Sequence, residues 1–300
     1  MKKQRELTYQ EKKNCPLCGG EAGFFREIDR WQPPLTIWRC GECHFQFQPK
    51  ETEEAAHLYD EGYYTGTSIY TYQDERQHKD AAMAVWRSRV NALSRLEKST
   101  GPKRWLDVGC AFGGLLEAAK EKGYEPYGLE ISEYSGGYAR TVFPGHIWIG
   151  NVEDFDLPQD FFSVVSLVEV IEHLAHPMKA LERVYRSLQE GGLLLVQTAD
   201  MDGLQARFKG ENYHYYLPGH LSYFDRHNLA LVLRRVGFRR IRFIGGVEFG
   251  LLPKLIKSRD SFHSLWDYRH WIRISLYHLA SKITIGPWHL TSSMVMLAWK

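Results

Sequence analysis

From residue 104 to 199, short apolar runs alternate with segments whose apolar residues recur every three or four positions. "RWLDVG", "YEPYGLEI", "HIWIG", "FFSVVSLV" and "LLLVQTA" read as strands; "GGLLEAAKEKG", "SEYSGGYARTVF" and "HPMKALERVYRSLQEGG" read as helices. Apolar strands alternating with helices predict a parallel sheet covered on both faces, with ligands at the C-terminal strand ends. Residues 51–103 are polar and helical in pattern, with an aromatic stretch "YDEGYYTGTSIYTY" at 59–72 and an amphipathic helix around Ala81–Lys98, ended by "STGP". Further on, "DRHNLALVLRRVGF" predicts an amphipathic helix opened by an Asp cap, followed by strand-like "RRIRFIGG" and a last strand "SSMVMLAWK". Residues 247–290, rich in Trp, Tyr and Arg, have two readings: a cover helix packed on the domain, or a helix that binds a membrane surface or a partner.

Three hundred residues exceed the need of one compact core, which predicts a large domain with an appended module. A formal charge of +2 gives no field that implies nucleic acid, and none is expected as a partner. No run approaches the roughly 18 apolar residues of a membrane span. "MKKQRELTYQEKKN" is charged and has no apolar segment behind it, so a cytoplasmic location is expected. The surface-helix reading of 247–290 would add a peripheral contact with the inner membrane.

Cysteine usage names a metal. Cys15 and Cys18 in "CPLCGG", and Cys40 and Cys43 in "WRCGECHF", are two CxxC turns that can aim four thiolates at one tetrahedral Zn²⁺. A closed thiolate shell has no open position, so this zinc is expected to be structural.

"WLDVGCAFGG" (105–114) is a strand running into a glycine-bearing turn that opens a helix, and Gly109 and Gly113 allow a ligand close to the backbone. Ala111 interrupts the dinucleotide fingerprint. The next strand ends at Glu130, about 20 residues on, where a carboxylate can accept bonds from both hydroxyls of a ribose. The third strand ends in "IGNVEDFDLP" and the fourth in "VEVIEHLAHP", so four strand tips converge on one crevice.

These motifs, with "CPLCGG…RCGEC", "YDEGYY" and "GHLSYFDRHNLALVLRRVGF", resemble the class I S-adenosylmethionine-dependent methyltransferases over nearly the whole chain. Within them the chain resembles a bacterial group with an N-terminal zinc ribbon, found among surface-polysaccharide and secondary-metabolite genes. The resemblance implies an α/β fold: a Rossmann-like seven-stranded sheet whose last strand is antiparallel, with a small zinc ribbon. The expected domains are the ribbon at 1–50, a helical linker or lid at 51–103, and the methyltransferase domain at 104–300 with its cover insert at 247–290. By the same resemblance Asp107, Gly109, Ala111 and Gly113 surround the amino-acid part of S-adenosylmethionine, Glu130 holds the ribose and Ile131 packs on the adenine. Asn151 and Val152 stand where the family has an acidic residue on the adenine amino group, and an asparagine oxygen can still accept that bond. Cys110 reads as a small buried residue. The tyrosines at 59, 63 and 64 resemble the family's lid, with ordinary packing as the other reading.

Methyl transfer to a hydroxyl needs alignment and removal of a proton. His173 is placed to do this, and an imidazole with an ordinary pKa near 6.5 is a usable base. If residues 169–173 form a helical turn, Glu169, Glu172 and His173 share a face. A second reading is therefore open: Glu169, Glu172 and His173 hold Mg²⁺ or Mn²⁺, as similar ExxEH arrangements do in ubiquinone-pathway O-methyltransferases and small-RNA-end methyltransferases, with His220 of "GHLSYF" as a fourth group. A structural role is the third reading. Glu169 is expected to border the cofactor. The expected acceptor is a small molecule or a carrier-linked glycan, first a sugar hydroxyl of a polysaccharide precursor. A quinone-like or natural-product phenol is the second candidate, and an RNA-modifying or non-catalytic binding protein the third.

Overall fold

The computed structural model describes residues 12–52, 57–67, 74–244, 251–252, 255, 264–280, 284–285 and 288–300. The strands are β1 (Lys13–Asn14), β2 (Glu21–Ile28), β3 (Leu35–Cys40), β4 (Gln46–Phe47), β5 (Arg104–Val108), β6 (Glu125–Glu130), β7 (Ile147–Ile149), β8 (Phe162–Val168), β9 (Leu188–Ala199), β10 (Ser222–Tyr223), β11 (Arg240–Ile244), β12 (Thr284–Ile285), β13 (Trp288–His289) and β14 (Ser293–Trp299). The helices are α1 (Glu61–Thr65), α2 (Lys79–Leu93), α3 (Gly114–Glu121), α4 (Glu133–Val142), α5 (Pro177–Ser187), α6 (Leu204–Lys209), α7 (Arg226–Val236) and α8 (Tyr268–Ala280).

Seven strands form one sheet in the order β11-β14-β9-β8-β5-β6-β7, and β14 runs antiparallel to both neighbours, as expected for the terminal "SSMVMLAWK". Strand period two sends successive side chains to opposite faces. Leu106, Val108, Val165, Leu167, Leu194 and Val196 pack with Leu181 and Val184 of α5 and Leu229 and Leu233 of α7. Trp105, Val164, Leu193, Leu195 and Leu297 take the other face, against Val90 and Leu93 of α2 and Leu115 of α3. Both faces are covered, which is why β8 is buried at nearly every position, its two serines included. The Asp225 cap of α7 is a full capping box: Asp225 accepts from the Asn228 N–H and Asn228 accepts in return.

Two boundaries differ from the sequence reading. The helix expected over Ala81–Lys98 ends at Leu93, and the Leu96 carbonyl beyond it accepts a bond from the Trp299 indole at 3.0 Å. "LQEGG" (188–192) is not the tail of α5 but the entry of β9: Leu188 pairs with Phe162, and Gln189 Nε2 donates to the carbonyls of Pro102 and Phe161. Of the 247–290 insert, residues 247–250, 253–254, 256–263, 281–283 and 286–287 lie outside the described residues, as do residues 68–72 of the aromatic stretch.

The ribbon is sewn into the large domain. Its sheet runs β1-β2-β3-β4-β10, and β10 belongs to the chain after β9. Trp38, Phe45 and Phe47 share a core cluster with Phe224 and the sheet. No helix among the described residues is long and apolar enough to cross a membrane.

Candidate active site

At the C-terminal end of β5 the chain enters a turn held in left-handed conformations: φ is +72° at Gly109, +45° at Ala111 and +85° at Gly113. Glycine is required at the first and third positions, since a Cβ at Gly109 would collide with Val170 Cγ2 and one at Gly113 would come 2.9 Å from the Phe143 ring. Glu130, at the tip of β6, is 4% exposed. Its Oε2 accepts the Ala111 N–H at 2.8 Å and its Oε1 the Ser132 N–H at 2.9 Å. Burial raises its pKa, and the backbone donors of Ser132, Ala111 and Ile131 oppose that rise. Asp107 is buried beneath the turn, accepting from Ser166 Oγ at 2.6 Å, which in turn accepts from the Trp105 indole at 2.9 Å. Burial pushes the Cys110 thiol well above its usual range, which fits an unreactive buried residue.

Asn151 is tied into its own turn. Its Oδ1 accepts the Glu153 N–H at 3.0 Å and its Nδ2 donates to the Glu153 carboxylate at 3.1 Å, so the side chain closes its own turn. It still borders the cavity with Ile131 and Val152.

The second cluster follows β8. The expected helical turn over 169–173 is not formed: Glu169 sits at φ +56° and only Ile171–His173 make a single 3-10 turn. Glu169 therefore does not share a helical face with Glu172 and His173, and its Oε1 instead accepts from Gln197 Nε2 at 2.8 Å. Glu172 is 1% exposed, and its Oε2 accepts from Thr198 Oγ1 at 2.8 Å. Burial first, and the neighbouring Glu169 charge second, hold its pKa well above the carboxylate range.

His173 is partly buried, with Nδ1 2.8 Å from the Gly219 carbonyl oxygen and 2.5 Å from Tyr59 Oη. A carbonyl can only accept, so we assign the proton of neutral His173 to Nδ1 and the lone pair to Nε2. Burial lowers its pKa to about 4 against the opposing pull of the Gly219 and Glu169 carbonyls. The ordinary imidazole pKa expected from sequence does not hold here. His220 is buried edge-on to His173, with ring centres 4.8 Å apart, and burial followed by its histidine neighbour lowers its pKa well below the usual value.

Glu172, His173 and His220 bring one ligand atom each within 4.8 Å of one another, and Glu169 is not in that group. Two imidazoles and one carboxylate suit Mn²⁺ better than Mg²⁺, which prefers oxygen. Both clusters line one cavity of about 470 Å³, whose wall also carries Tyr59, Tyr63 and Tyr64. Trp86, Arg89 and Gln197 also line it and were not singled out from sequence, whereas Tyr215 lies in the aromatic-rich stretch 213–223 that the sequence offered as a stacking surface. Gln197 and Thr198 stand near the C-terminal end of β9, where the strand-end rule could have found them. Arg89 carried no signal of its own beyond being a charge on an amphipathic helix.

The four cysteines meet outside this cavity. Sγ of Cys15 lies 3.6 Å from that of Cys43, and Sγ of Cys18 lies 3.4 Å from that of Cys40. Thiolates about 2.3 Å from a tetrahedral zinc stand about 3.8 Å apart, so the cluster is of the right size. The N–H groups of Leu17, Gly20 and Glu42 point at these sulfurs at 3.4 Å, as thiolates require.

A family model described as a methyltransferase domain matches residues 74–242. A ubiquinone biosynthesis O-methyltransferase of Bradyrhizobium diazoefficiens is 30% identical over 125 residues, which is 40% of this chain and 47% of that protein. A malonyl-[acyl-carrier protein] O-methyltransferase of Serratia marcescens is 26% identical over 42% of this chain and 50% of its own length. The chain thus spans about half the length of the curated relatives it matches. Phosphoethanolamine N-methyltransferase 2 of Haemonchus contortus, solved with phosphomonomethylethanolamine and S-adenosylhomocysteine, shares the fold with a TM-score of 0.54 at 15% identity, covering 100% of this chain and 73% of that one.

Proposed function

The chain belongs to the methyltransferase domain family, and we propose that it is an S-adenosylmethionine-dependent O-methyltransferase acting on an acceptor hydroxyl. The observation that carries this reading is the meeting, in one cavity, of a glycine cradle with a buried carboxylate and a neutral histidine. Bound S-adenosylmethionine supplies an electrophilic methyl on a sulfonium. The cradle at 109–113 accommodates the amino-acid part, and Glu130 accepts from the ribose hydroxyls through the lone-pair capacity its backbone donors leave over. Asp107 and Glu169 border the amino-acid end, and Ile131 and Val152 offer apolar contact to the adenine.

Nε2 of His173 takes the acceptor proton, and Tyr59 and Gly219 fix the ring that does so. A pKa near 4 makes this imidazole a weak base that is reliably neutral, so its first contribution is to orient the hydroxyl for in-line displacement. If a divalent ion takes part, Glu172, His173 and His220 would hold Mn²⁺, the His173 Nε2 lone pair serving as ligand in place of its role as base, and the ion would lower the hydroxyl's pKa. The ribbon cysteines bind one structural zinc.

The acceptor class is a sugar hydroxyl of a polysaccharide precursor, small or carrier-linked; the aromatic wall of Tyr59, Trp86 and Tyr215 offers stacking faces for it. A phenolic acceptor is the second reading, favoured by the relatives that are ubiquinone-pathway O-methyltransferases. Methyl-labelled S-adenosylmethionine offered with nucleotide sugars, lipid-linked sugars and phenols separates them. Label in the sugars supports the first reading and label in phenols alone the second. Cofactor binding without transfer to any hydroxyl overturns both.

A further inference from the structure

Helix α8 and the turn before it expose a continuous apolar stripe. Leu265, Tyr268, Ile272, Leu276 and Leu279 are all solvent-exposed and recur at three- and four-residue spacing, so they fall on one side. Ile272 is 62% exposed, Leu276 59% and the adjoining Trp266 75%. Arg269 and Arg273, also exposed, run one turn apart along the edge of this stripe. The opposite side is anchored: the Ser292 N–H donates to Tyr277 Oη at 2.9 Å. Tyr213, two residues from the cavity-lining Tyr215, donates to the Ser292 carbonyl at 2.9 Å, so the helix is tethered to the wall of the active-site cavity.

We propose that α8 docks this protein on an anionic lipid bilayer. An apolar stripe with an aromatic residue at one end and arginines along its edge is the pattern of a helix lying in the membrane interface. Charge argues for the same occupant. Residues 247–290 carry six lysines and arginines against three carboxylates, while the whole chain nets only +2. A second copy fits the stripe poorly: residues 268–300 contain no carboxylate, so a two-fold mate of α8 would set arginine against arginine. The docking is independent of the methyltransferase reading, and it brings the cavity wall to the surface where a lipid-borne acceptor would lie.

The test is co-sedimentation of the full chain with vesicles of phosphatidylcholine alone and of phosphatidylcholine mixed with phosphatidylglycerol. The expected result is selective pelleting with the anionic vesicles, weakened by salt. Arg269→Gln and Arg273→Gln should each lower partitioning about fivefold. The double change Ile272→Glu, Leu276→Glu should abolish it, with an unchanged melting curve because both positions are exposed. Absence of pelleting with either vesicle, or equal pelleting of the double variant, overturns the proposal. So does a concentration-dependent dimer in sedimentation velocity that the double variant dissolves, since a second copy would then cover the stripe.

Discussion

Tyr59 Oη lies 2.5 Å from His173 Nδ1, and both share the carbonyl of Gly219. Three distant parts of the chain thus fix one imidazole ring. Removing the hydroxyl in Tyr59→Phe should release the ring without touching the cofactor cradle. Turnover should fall about tenfold, and the affinity for S-adenosylmethionine should stay within about twofold, matching loss of roughly one hydrogen bond. Equal losses in both would mean that Tyr59 serves the cofactor.

The depressed pKa of His173 has a stability consequence of definite sign. Folded His173 protonates only near pH 4, whereas the unfolded side chain does so near 6.5. Between these values the unfolded state binds more protons, so this contribution is full above pH 6.5 and is lost as pH falls toward 4. Glu172 acts with the opposite sign, because its raised pKa favours the folded state at low pH. Urea unfolding of wild type and His173→Gln at pH 7 and pH 5 isolates the histidine: wild type should lose more stability on acidification than the variant. Ring-carbon NMR should place the His173 midpoint near 4, and a midpoint near 6.5 would contradict the burial argument.

Gly109 should tolerate no side chain. Alanine there combines a φ of +72° with a collision against Val170. Gly109→Ala should cost about 1–3 kcal/mol of stability and abolish cofactor binding. Normal binding in a calorimeter would show that the cradle does not depend on close backbone approach.

Zinc should matter to catalysis although none of the four ribbon cysteines lines the cavity. Gln48, directly after β4, donates its N–H to the Leu221 carbonyl at 2.8 Å and its Nε2 to the His220 carbonyl at 2.7 Å, and the Leu221 N–H reaches the Glu172 carbonyl at 2.7 Å. The ribbon therefore holds the segment that carries His220, and through Leu221 that segment holds the turn that carries Glu172. Cys43→Ser should reduce bound zinc from about one per chain and lower both melting temperature and turnover. Full activity without zinc would disconnect the two domains.

The sequence carried the sheet because its apolar runs are long enough to be buried on both faces, and it carried the cradle because glycine and a strand-end carboxylate have few other uses there. Cys15, Cys18, Cys40 and Cys43 were equally legible, since paired thiols at this spacing serve one chemistry. The Tyr59–His173 contact was not, because nothing local reports a partner 114 positions away. The pairing of β4 with β10 was hidden too: Ser222–Tyr223 is a two-residue strand with no period to read. The helical turn over 169–173 was misread because the spacing suits a helix while the Glu169 backbone is left-handed, and only the surrounding tertiary structure decides between those.

Calorimetric titration of the purified chain with S-adenosylmethionine, repeated on Glu130→Ala, tests the central claim most directly. Removing a carboxylate that accepts charge-assisted bonds should cost about 1.5–3 kcal/mol, a ten- to hundredfold loss of affinity. Wild type should bind and the variant should weaken by that factor. No heat of binding in wild type, or equal affinity in the two proteins, would contradict the claim that this cavity grips an adenosyl sulfonium.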